Sequence, residues 1–202
     1  MLDAALTLAR EVRYRHFDVV VDFLSFDADD AARAIETWTG RTGQYVFISS
    51  ASCYKKPAGS PFITESTPLA NPHWDYSRKK IAAELAFDAA ARETNFPLVT
   101  VRPSLTYGDH HIPLILNSWT HPYTIIDRMK RGQAVILPGD GASLWTITHA
   151  DDFAFGLAGL LGNPQTLGHA FHITSDESIT WRQAYEMAAA AFNVPVIPVE
   201  IA

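Results

Sequence analysis

The sequence predicts an α/β fold with a parallel sheet, and three apolar runs carry this prediction. Residues 17–24, 44–49 and 97–102 are short and rich in β-branched and aromatic side chains, as is typical of buried strands. Segments that predict helices, at 27–38 and about 75–94, separate these runs. Strands that alternate with helices are joined by crossovers and lie parallel to one another.

The residue pattern changes after Gly108, where an irregular stretch rich in His, Pro and Asn begins. We expect residues 1–108 to form one domain and residues 109–202 to form a smaller α+β region that binds substrate. A further amphipathic helix is expected at 2–15. The elements expected in the smaller region are helices at about 122–131, 151–161 and 181–191, the last capped by Thr180, and strands at 134–137 and 170–174.

Composition limits the classes of function. The chain has 202 residues, of which 48% are hydrophobic and 19% are charged, as in an ordinary globular protein. The formal net charge of -6 argues against broad binding to nucleic acid. Cys53 is the single cysteine, and no run approaches the ~20 apolar residues that span a membrane. We therefore expect a cytoplasmic protein with no internal disulfide and no membrane partner.

Tyr76 and Lys80 form the pair that points most directly to chemistry. Residues four apart share one face of a helix. An ammonium ion beside a phenol lowers the phenol's pKa, which would suit Tyr76 to general acid or base work. Ser50, in the serine-rich run 49–52, could hold a substrate oxygen near the same point. The alternative is an ordinary pair of side chains on a helix surface.

Five segments follow one another in an order that a known enzyme family shares. They are Phe47–Tyr54, Thr64–Pro68, Tyr76-x-x-x-Lys80 with Glu84, Val101–Gly108, and Pro138–Gly141 followed by Asp151–Ala154. Together they resemble the extended short-chain dehydrogenase/reductase family, also called the NAD-dependent epimerase/dehydratase family. The resemblance implies a partial Rossmann-type doubly wound parallel sheet whose first strands are missing.

The resemblance also implies catalytic roles. Tyr76 would exchange a proton with a substrate hydroxyl. Lys80 would lower the pKa of Tyr76 and hydrogen-bond the nicotinamide ribose. Ser50 would orient the substrate oxygen, and Ser52 would assist it at the same strand end.

The cofactor implied by the resemblance is NAD or NADP. Besides Tyr76 and Lys80, the residues expected along it are Phe23, Leu24, Ser25 and Pro103. The implied function is that of an NAD(P)-dependent oxidoreductase, epimerase or dehydratase acting on a hydroxyl or carbonyl carbon of a sugar-like substrate.

Two departures from the family pattern concern the substrate. Leu105 stands where the family commonly has asparagine. Trp145 aligns with an arginine that often clamps a nucleotide diphosphate, so a charge-assisted interaction is lost. We expect Trp145 to contact the substrate, and we expect that substrate to be another polyol, a sugar acid or a smaller carbonyl compound.

The third departure is the lack of a strand followed by the G-x-x-G-x-x-G turn that grips the cofactor pyrophosphate. We therefore expect a fragment of a longer enzyme, with weak or absent NAD binding by this chain alone. The strand at 17–24 would be an open sheet edge, which a partner or a second copy in a homodimer would cover. The choice between NAD and NADP stays open.

Two alternatives remain. Members of this fold have become binding or regulatory proteins, including RNA-associated ones, although the intact Tyr/Lys/Ser set and the acidic balance argue against that here. His110, His111 and His121, near Asp109, invite a metal interpretation. They lie in an irregular stretch, so we favour substrate contact or a plain loop and expect no metal site.

Overall fold

The structure, a computed structural model, describes residues 12, 14–110, 112–114 and 120–201. Most of the helix expected at 2–15, and His111, lie outside the described residues. The chain divides into two compact units. The first comprises residues up to 103 together with 156–173, and the second comprises 104–155 together with the residues from 174 onward. Residues 156–173 therefore belong to the first unit, whereas the sequence-based division at residue 108 places them in the smaller region.

Ten strands and five α-helices make up the described chain. The strands are β1 (Phe17–Asp22), β2 (Thr42–Ile48), β3 (Leu98–Val101), β4 (Leu105–Tyr107), β5 (Val135–Pro138), β6 (Leu144–Trp145), β7 (Ile147–His149), β8 (Ala170–Phe171), β9 (Ile179–Thr180) and β10 (Pro198–Ile201). The helices are α1 (Ala28–Trp38), α2 (Asp75–Thr94), α3 (Thr124–Lys130), α4 (Ala150–Leu160) and α5 (Trp181–Ala191). In this described part, no helix is long and apolar enough to cross a bilayer.

The first unit is built on a parallel sheet in the order β1-β2-β3-β8, so the predicted α/β class is confirmed. Strand β3 is wholly buried and β2 is buried except at Gly43, as expected where helices cover a parallel sheet. Strand β1 is only partly buried and pairs with β2 alone among the described strands. It is therefore an edge strand in the part of the chain that the structure describes.

Aromatic side chains form the core between this sheet and helix α2. The Phe87 ring lies 4.7 Å from the Phe47 ring and 5.3 Å from the Tyr45 ring, centroid to centroid. Phe96, just beyond the helix, lies 5.1 Å from Tyr45. The large apolar area that these rings remove from water fixes how α2 lies on the strands.

The second unit has three small strand pairs, each described here by itself. Strands β4 and β7 are parallel, β5 and β10 are parallel, and β6 and β9 are antiparallel. Helix α5 contributes Trp181 and Tyr185 to a core shared with α3 and β5. Pairs of two or three residues are too short to show a period, which is why β4, β6, β7 and β9 escaped prediction.

The start of α5 provides a stability test. Thr180 Oγ1 accepts a hydrogen bond from the backbone N–H of Gln183, whose side chain accepts one from the Thr180 N–H. We expect Thr180→Ala to lower the free energy of unfolding by about 1 kcal/mol, because the Gln183 N–H loses its hydroxyl acceptor, although the bond from the backbone N–H of residue 180 to the Gln183 side chain can remain. Urea unfolding followed by fluorescence measures the change. Thr180→Ser, which keeps the hydroxyl, is the control, and equal losses in both variants would contradict the capping explanation.

Candidate active site

Helix α2 carries the predicted pair on the face that meets the sheet. Its buried residues are Ser77, Lys80, Ala83, Glu84, Phe87 and Ala90, spaced as one stripe of a helix. Tyr76, half-buried, lies one turn before Lys80. The stripe is unusual because it includes an ammonium ion and a carboxylate, which are seldom buried without partners.

Lys80 is 2% exposed, and its ammonium group is held by backbone carbonyls. Nζ donates to the Ser25 carbonyl at 2.6 Å and to the Ile48 carbonyl at 2.9 Å. It also lies 4.7 Å from the centre of the Phe26 ring and 4.8 Å from that of Phe47. Burial lowers the pKa of Lys80, since an apolar surrounding disfavours the charged form.

The pKa of Tyr76 moves opposite to the sequence-based expectation. Burial raises the pKa of the phenol, and a hydrogen bond with the Ser50 side chain opposes that rise. The expectation that Lys80 lowers this pKa is therefore wrong for this structure. The main cause is burial of the phenol, and the Lys80 ammonium bonds to the two carbonyls at the strand ends.

Ser50 lies next to Tyr76 at the end of β2, and Ser52 bonds to Ser50. The Ser50 hydroxyl accepts from the Ser52 N–H at 3.1 Å and donates to Ser52 Oγ at 2.9 Å, which caps a short 3-10 turn at Ala51–Cys53. The Ala51 N–H donates to the Pro103 carbonyl at 2.9 Å. This bond ties the turn to the end of β3, so the Ser50 hydroxyl is held in place from two sides.

The segment after β1 lies beside Lys80 and includes three of the residues predicted to bind the cofactor. Ser25 is buried and supplies a carbonyl to Lys80, whereas Phe23 and Leu24 are exposed. Pro103, half-buried, follows β3. The structure thus brings Ser25 to Lys80 and leaves Phe23 and Leu24 accessible; the contact of these residues with a cofactor stays a prediction.

Two aromatic residues that the sequence interpretation missed lie next to Tyr76. The Trp74 ring lies 4.8 Å from the Tyr76 ring, and the Phe26 ring lies 6.4 Å from it. Trp74 is about half exposed at the start of α2. For Trp74, the signal available in the sequence was its position two residues before Tyr76.

A buried ion pair lies one helical turn beyond Lys80. Arg102 Nη2 donates to Glu84 Oε2 at 2.7 Å, and Arg102 Nε donates to both carboxylate oxygens at 3.1 Å. Ser49 also donates to Glu84. Burial by itself lowers the pKa of Arg102, but the hydrogen bonds and charge of Glu84 outweigh it and the pKa is raised overall. Arg102 therefore stays charged.

Arg102 also joins the loop that follows the serine run. Its Nη1 donates to the Tyr54 hydroxyl at 3.0 Å and to the Glu65 carbonyl at 2.9 Å. Tyr54 is hydrogen-bonded to the His172 ring. The backbone N–H of His172 donates to the Glu65 carboxylate at 3.0 Å. The network links β3, β8 and this loop, so Glu65 is a hydrogen-bonding loop residue here.

Trp145, the remaining predicted substrate residue, belongs to the second unit. It lies in β6, half-buried, with its ring 5.4 Å from that of Trp181. It packs against the core of that unit. Its contact with substrate stays a prediction.

The letters G-x-x-G-x-x-G do occur in the chain, at Gly156, Gly159 and Gly162, but not in the setting that binds a pyrophosphate. Gly156 and Gly159 lie inside α4, and Gly162 follows its end with a φ of +71°. A Cβ at Gly156 would lie 2.7 Å from Cγ2 of Ile173, so that glycine serves packing. These glycines therefore do not fit the phosphates of a dinucleotide.

The metal interpretation finds no support in the described residues. Among them, no three His, Cys, Asp or Glu side chains are grouped so as to hold a metal ion.

Comparison with known proteins gives a consistent family. A family model described as the NAD dependent epimerase/dehydratase family matches residues 15–174. The 2'-dehydrokanamycin reductase of Streptomyces kanamyceticus is 30% identical over 188 residues, which are 91% of this chain and 51% of that protein. The chloroplast stem-loop binding protein of 41 kDa b from Arabidopsis thaliana is 24% identical over 179 residues, 89% of this chain and 44% of that protein.

Solved structures of a dehydratase and an epimerase share the fold of this chain. A dTDP-glucose 4,6-dehydratase from Streptomyces venezuelae with NAD bound has a TM-score of 0.78 at 22% identity, covering 98% of this chain and 65% of that one. A UDP-glucuronic acid 4-epimerase from Bacillus cereus, in complex with NAD, has a TM-score of 0.76 at 17% identity, covering 96% and 64%. The chain spans about half the length of the curated relatives described above.

The buried ion pair yields a prediction on stability. Arg102→Met should lower the free energy of unfolding by about 3–5 kcal/mol, because the Glu84 carboxylate would be left buried without its counter-charge. Arg131→Met is the matched control. The Arg131 side chain is 67% exposed in its pair with Asp127, and its loss should cost about 1 kcal/mol or less. Similar losses in urea unfolding would contradict the assignment of the Glu84–Arg102 pair as a structural centre.

The raised pKa of Tyr76 yields a prediction on ionisation. In a spectroscopic titration of phenolate absorbance, Tyr76→Phe should remove a step that lies above the ordinary tyrosine value of ~10. Ser50→Ala should move that step higher still, since the bond that opposes the rise is lost. A Tyr76 step below the ordinary value would show instead that Lys80 activates the phenol in the chain as it stands.

Proposed function

Because the chain belongs to the NAD dependent epimerase/dehydratase family, we propose that it forms the proton-transfer half of an NAD(P)-dependent enzyme. The proposed reaction is at a hydroxyl or carbonyl carbon of a sugar-like substrate. The observation that carries the proposal is the arrangement of Tyr76, Ser50 and Lys80, with a half-buried phenol hydrogen-bonded to a serine one helical turn from a buried ammonium.

The proton chemistry follows from the protonation state of Tyr76. With its pKa raised by burial, the phenol is neutral near pH 7 and is an acid ready to donate its proton to a developing alkoxide. Ser50, held by the 3-10 turn, can orient the same oxygen. A protonated Tyr76 favours the reduction of a carbonyl over the oxidation of a hydroxyl, because the reduction needs a proton donor.

Lys80 provides the charge beside this oxygen. Two of its three N–H donors are taken by the Ser25 and Ile48 carbonyls among the described residues, which leaves one for a ligand hydroxyl. We propose that Lys80 and the Ser25 segment hold the nicotinamide ribose. A bound nicotinamide would supply or accept the hydride, which no side chain of this chain can do.

The proposed substrate is a sugar-like carbonyl compound without a nucleotide diphosphate. Trp145 stands where the family often has a diphosphate-clamping arginine, and a tryptophan packed against Trp181 offers no charge to a phosphate. The relative from Streptomyces kanamyceticus is, by its name, a reductase of 2'-dehydrokanamycin. Both observations favour a reductase acting on a free glycoside-like molecule.

The phosphate half of the cofactor site is proposed to come from outside this chain. The glycines with the right spacing lie in α4 and cannot cradle a pyrophosphate. The edge strand β1 is the neighbour that a further strand or another chain would cover. We propose that this chain alone binds NAD weakly or not at all.

RNA binding is the second candidate function. One relative is, by its name, a chloroplast stem-loop binding protein. The net charge of -6 and the presence of the Tyr/Lys/Ser set weigh against it. A gel shift with a structured RNA distinguishes the two, since the reductase proposal expects no shift at physiological salt, and a salt-sensitive shift would favour the binding protein.

The reductase proposal is tested in a form of the protein extended by a Gly-rich dinucleotide-binding segment. Consumption of NADH or NADPH is measured with a panel of oxidised sugars and glycosides. Tyr76→Phe should lower kcat by at least about 10²-fold, which is the contribution of a positioned general acid. Tyr123→Phe, at an exposed position of the second unit, should leave kcat unchanged. Full turnover by the Tyr76 variant would refute the assignment.

A further inference from the structure

The exposed turn after β1 has a backbone that is held by one carboxylate. Asp22 Oδ1 accepts from the backbone N–H of Leu24 at 2.7 Å and from that of Ser25 at 3.0 Å. Its Oδ2 accepts from the Tyr45 hydroxyl at 2.5 Å. Three donors therefore converge on Asp22, one of them from the neighbouring strand β2.

The far side of the same turn is held by a second carboxylate. The Phe26 N–H donates to Asp30 Oδ2 at 2.8 Å, from the first turn of α1. Ser25 thus lies between amides that are fixed on both sides. Its carbonyl is directed at Lys80 Nζ, 2.6 Å away, and the Phe26 ring lies against the same ammonium.

From these contacts we propose that Asp22 is a positioning residue for Lys80. Its carboxylate holds the turn at residues 23–26 in the shape that brings the Ser25 carbonyl to the ammonium, and its negative charge balances that buried cation. No family motif identified in the sequence includes Asp22. The inference rests on the proposed function, because the position of Lys80 matters to catalysis only if Lys80 acts beside Tyr76.

The electrostatic surroundings of Lys80 agree with this role. Burial lowers the pKa of Lys80, and the groups that oppose this effect are Asp22 first, then Cys53, Glu84 and Asp30. They lie at the end of β1, in the 3-10 turn, in α2 and in α1 respectively. Asp22 is the first of the charged groups that oppose this lowering, and its carboxylate also holds the turn whose Ser25 carbonyl bonds to Lys80.

Tyr45 keeps Asp22 in this orientation. Burial raises the pKa of the Tyr45 hydroxyl, and the charge of Asp22 raises it further, so the hydroxyl stays protonated and remains a donor. The Tyr45 ring is itself fixed between Phe87 and Phe96 in the core. The chain of contacts therefore runs from the core, through Tyr45 and Asp22, to the carbonyl that Lys80 uses.

The test uses the chain itself and needs no enzyme activity. Hydrogen exchange of the Leu24 and Ser25 amides is measured by NMR in the wild type, and the titration of Lys80 is followed through its side-chain carbon signals, assigned with Lys80→Met. Leu24 is 79% exposed, so slow exchange of its amide requires the bond to Asp22. Fast exchange of both amides in the wild type would overturn the proposed hold on the turn.

Two variants separate shape from charge. Asp22→Asn keeps an acceptor oxygen but loses the charge, so it should lower the Lys80 titration midpoint while the two amides stay protected. Asp22→Ala loses both, so it should lower the midpoint and abolish the protection. Asp18→Asn removes an exposed carboxylate from the same face of β1 and should change neither.

The outcomes are distinct from those of the reductase test. If Asp22→Asn shifts the Lys80 midpoint no more than Asp18→Asn does, the charge role is refuted. If Asp22→Ala leaves both amides protected, the shape role is refuted. Should Asp22→Ala not fold, Asp22→Asn and the wild-type exchange rates decide. A failed reductase assay combined with the expected shifts would refute the proposed reaction and leave the positioning of Lys80 by Asp22 intact.

Discussion

The buried ammonium of Lys80 is the interaction on which the first unit's site depends. It lies at the carboxyl ends of β1 and β2 and bonds to the backbone that leaves each of them. One turn along α2, the Glu84 carboxylate receives Arg102 at the end of β3. A single helix thus reaches three neighbouring strands through two opposite charges. Because each charge is buried, neither can move without a large electrostatic cost.

In the proposed reaction, the protonation state of Tyr76 would set the direction of proton transfer. Burial raises the pKa of Tyr76, so the phenol keeps its proton near pH 7. An ammonium fixed by two backbone groups is also a more accurate point of attachment than a flexible surface lysine. For the proposed proton donor, precise placement would matter, because a misplacement of about 1 Å can cost a large factor in rate.

The long elements of the fold were predictable from the sequence, and the local electrostatics were not. Helix α2 spans Asp75–Thr94, the predicted range, because twenty residues give a clear helical pattern. The position of Ser50 at a strand end also followed from the order of strand and helix. The pKa of Tyr76 depends on its burial, and the position of Lys80 depends on the Ser25 carbonyl in a distant part of the chain. The bond from the Tyr45 hydroxyl to Asp22 joins neighbouring strands, and no spacing in the sequence reports such a long-range contact.

The Glu84–Arg102 pair also restricts which substitutions this sequence can accept during evolution. A change of either residue alone leaves an uncompensated charge in a place that is nearly closed to water. A simultaneous exchange of both for apolar side chains of similar volume would remove that charge problem, although it would release Tyr54 and the Glu65 loop from Arg102. Among descendants of this chain, substitutions of Glu84 and Arg102 should therefore occur together. A sequence that lacks one residue of the pair should also lack the other.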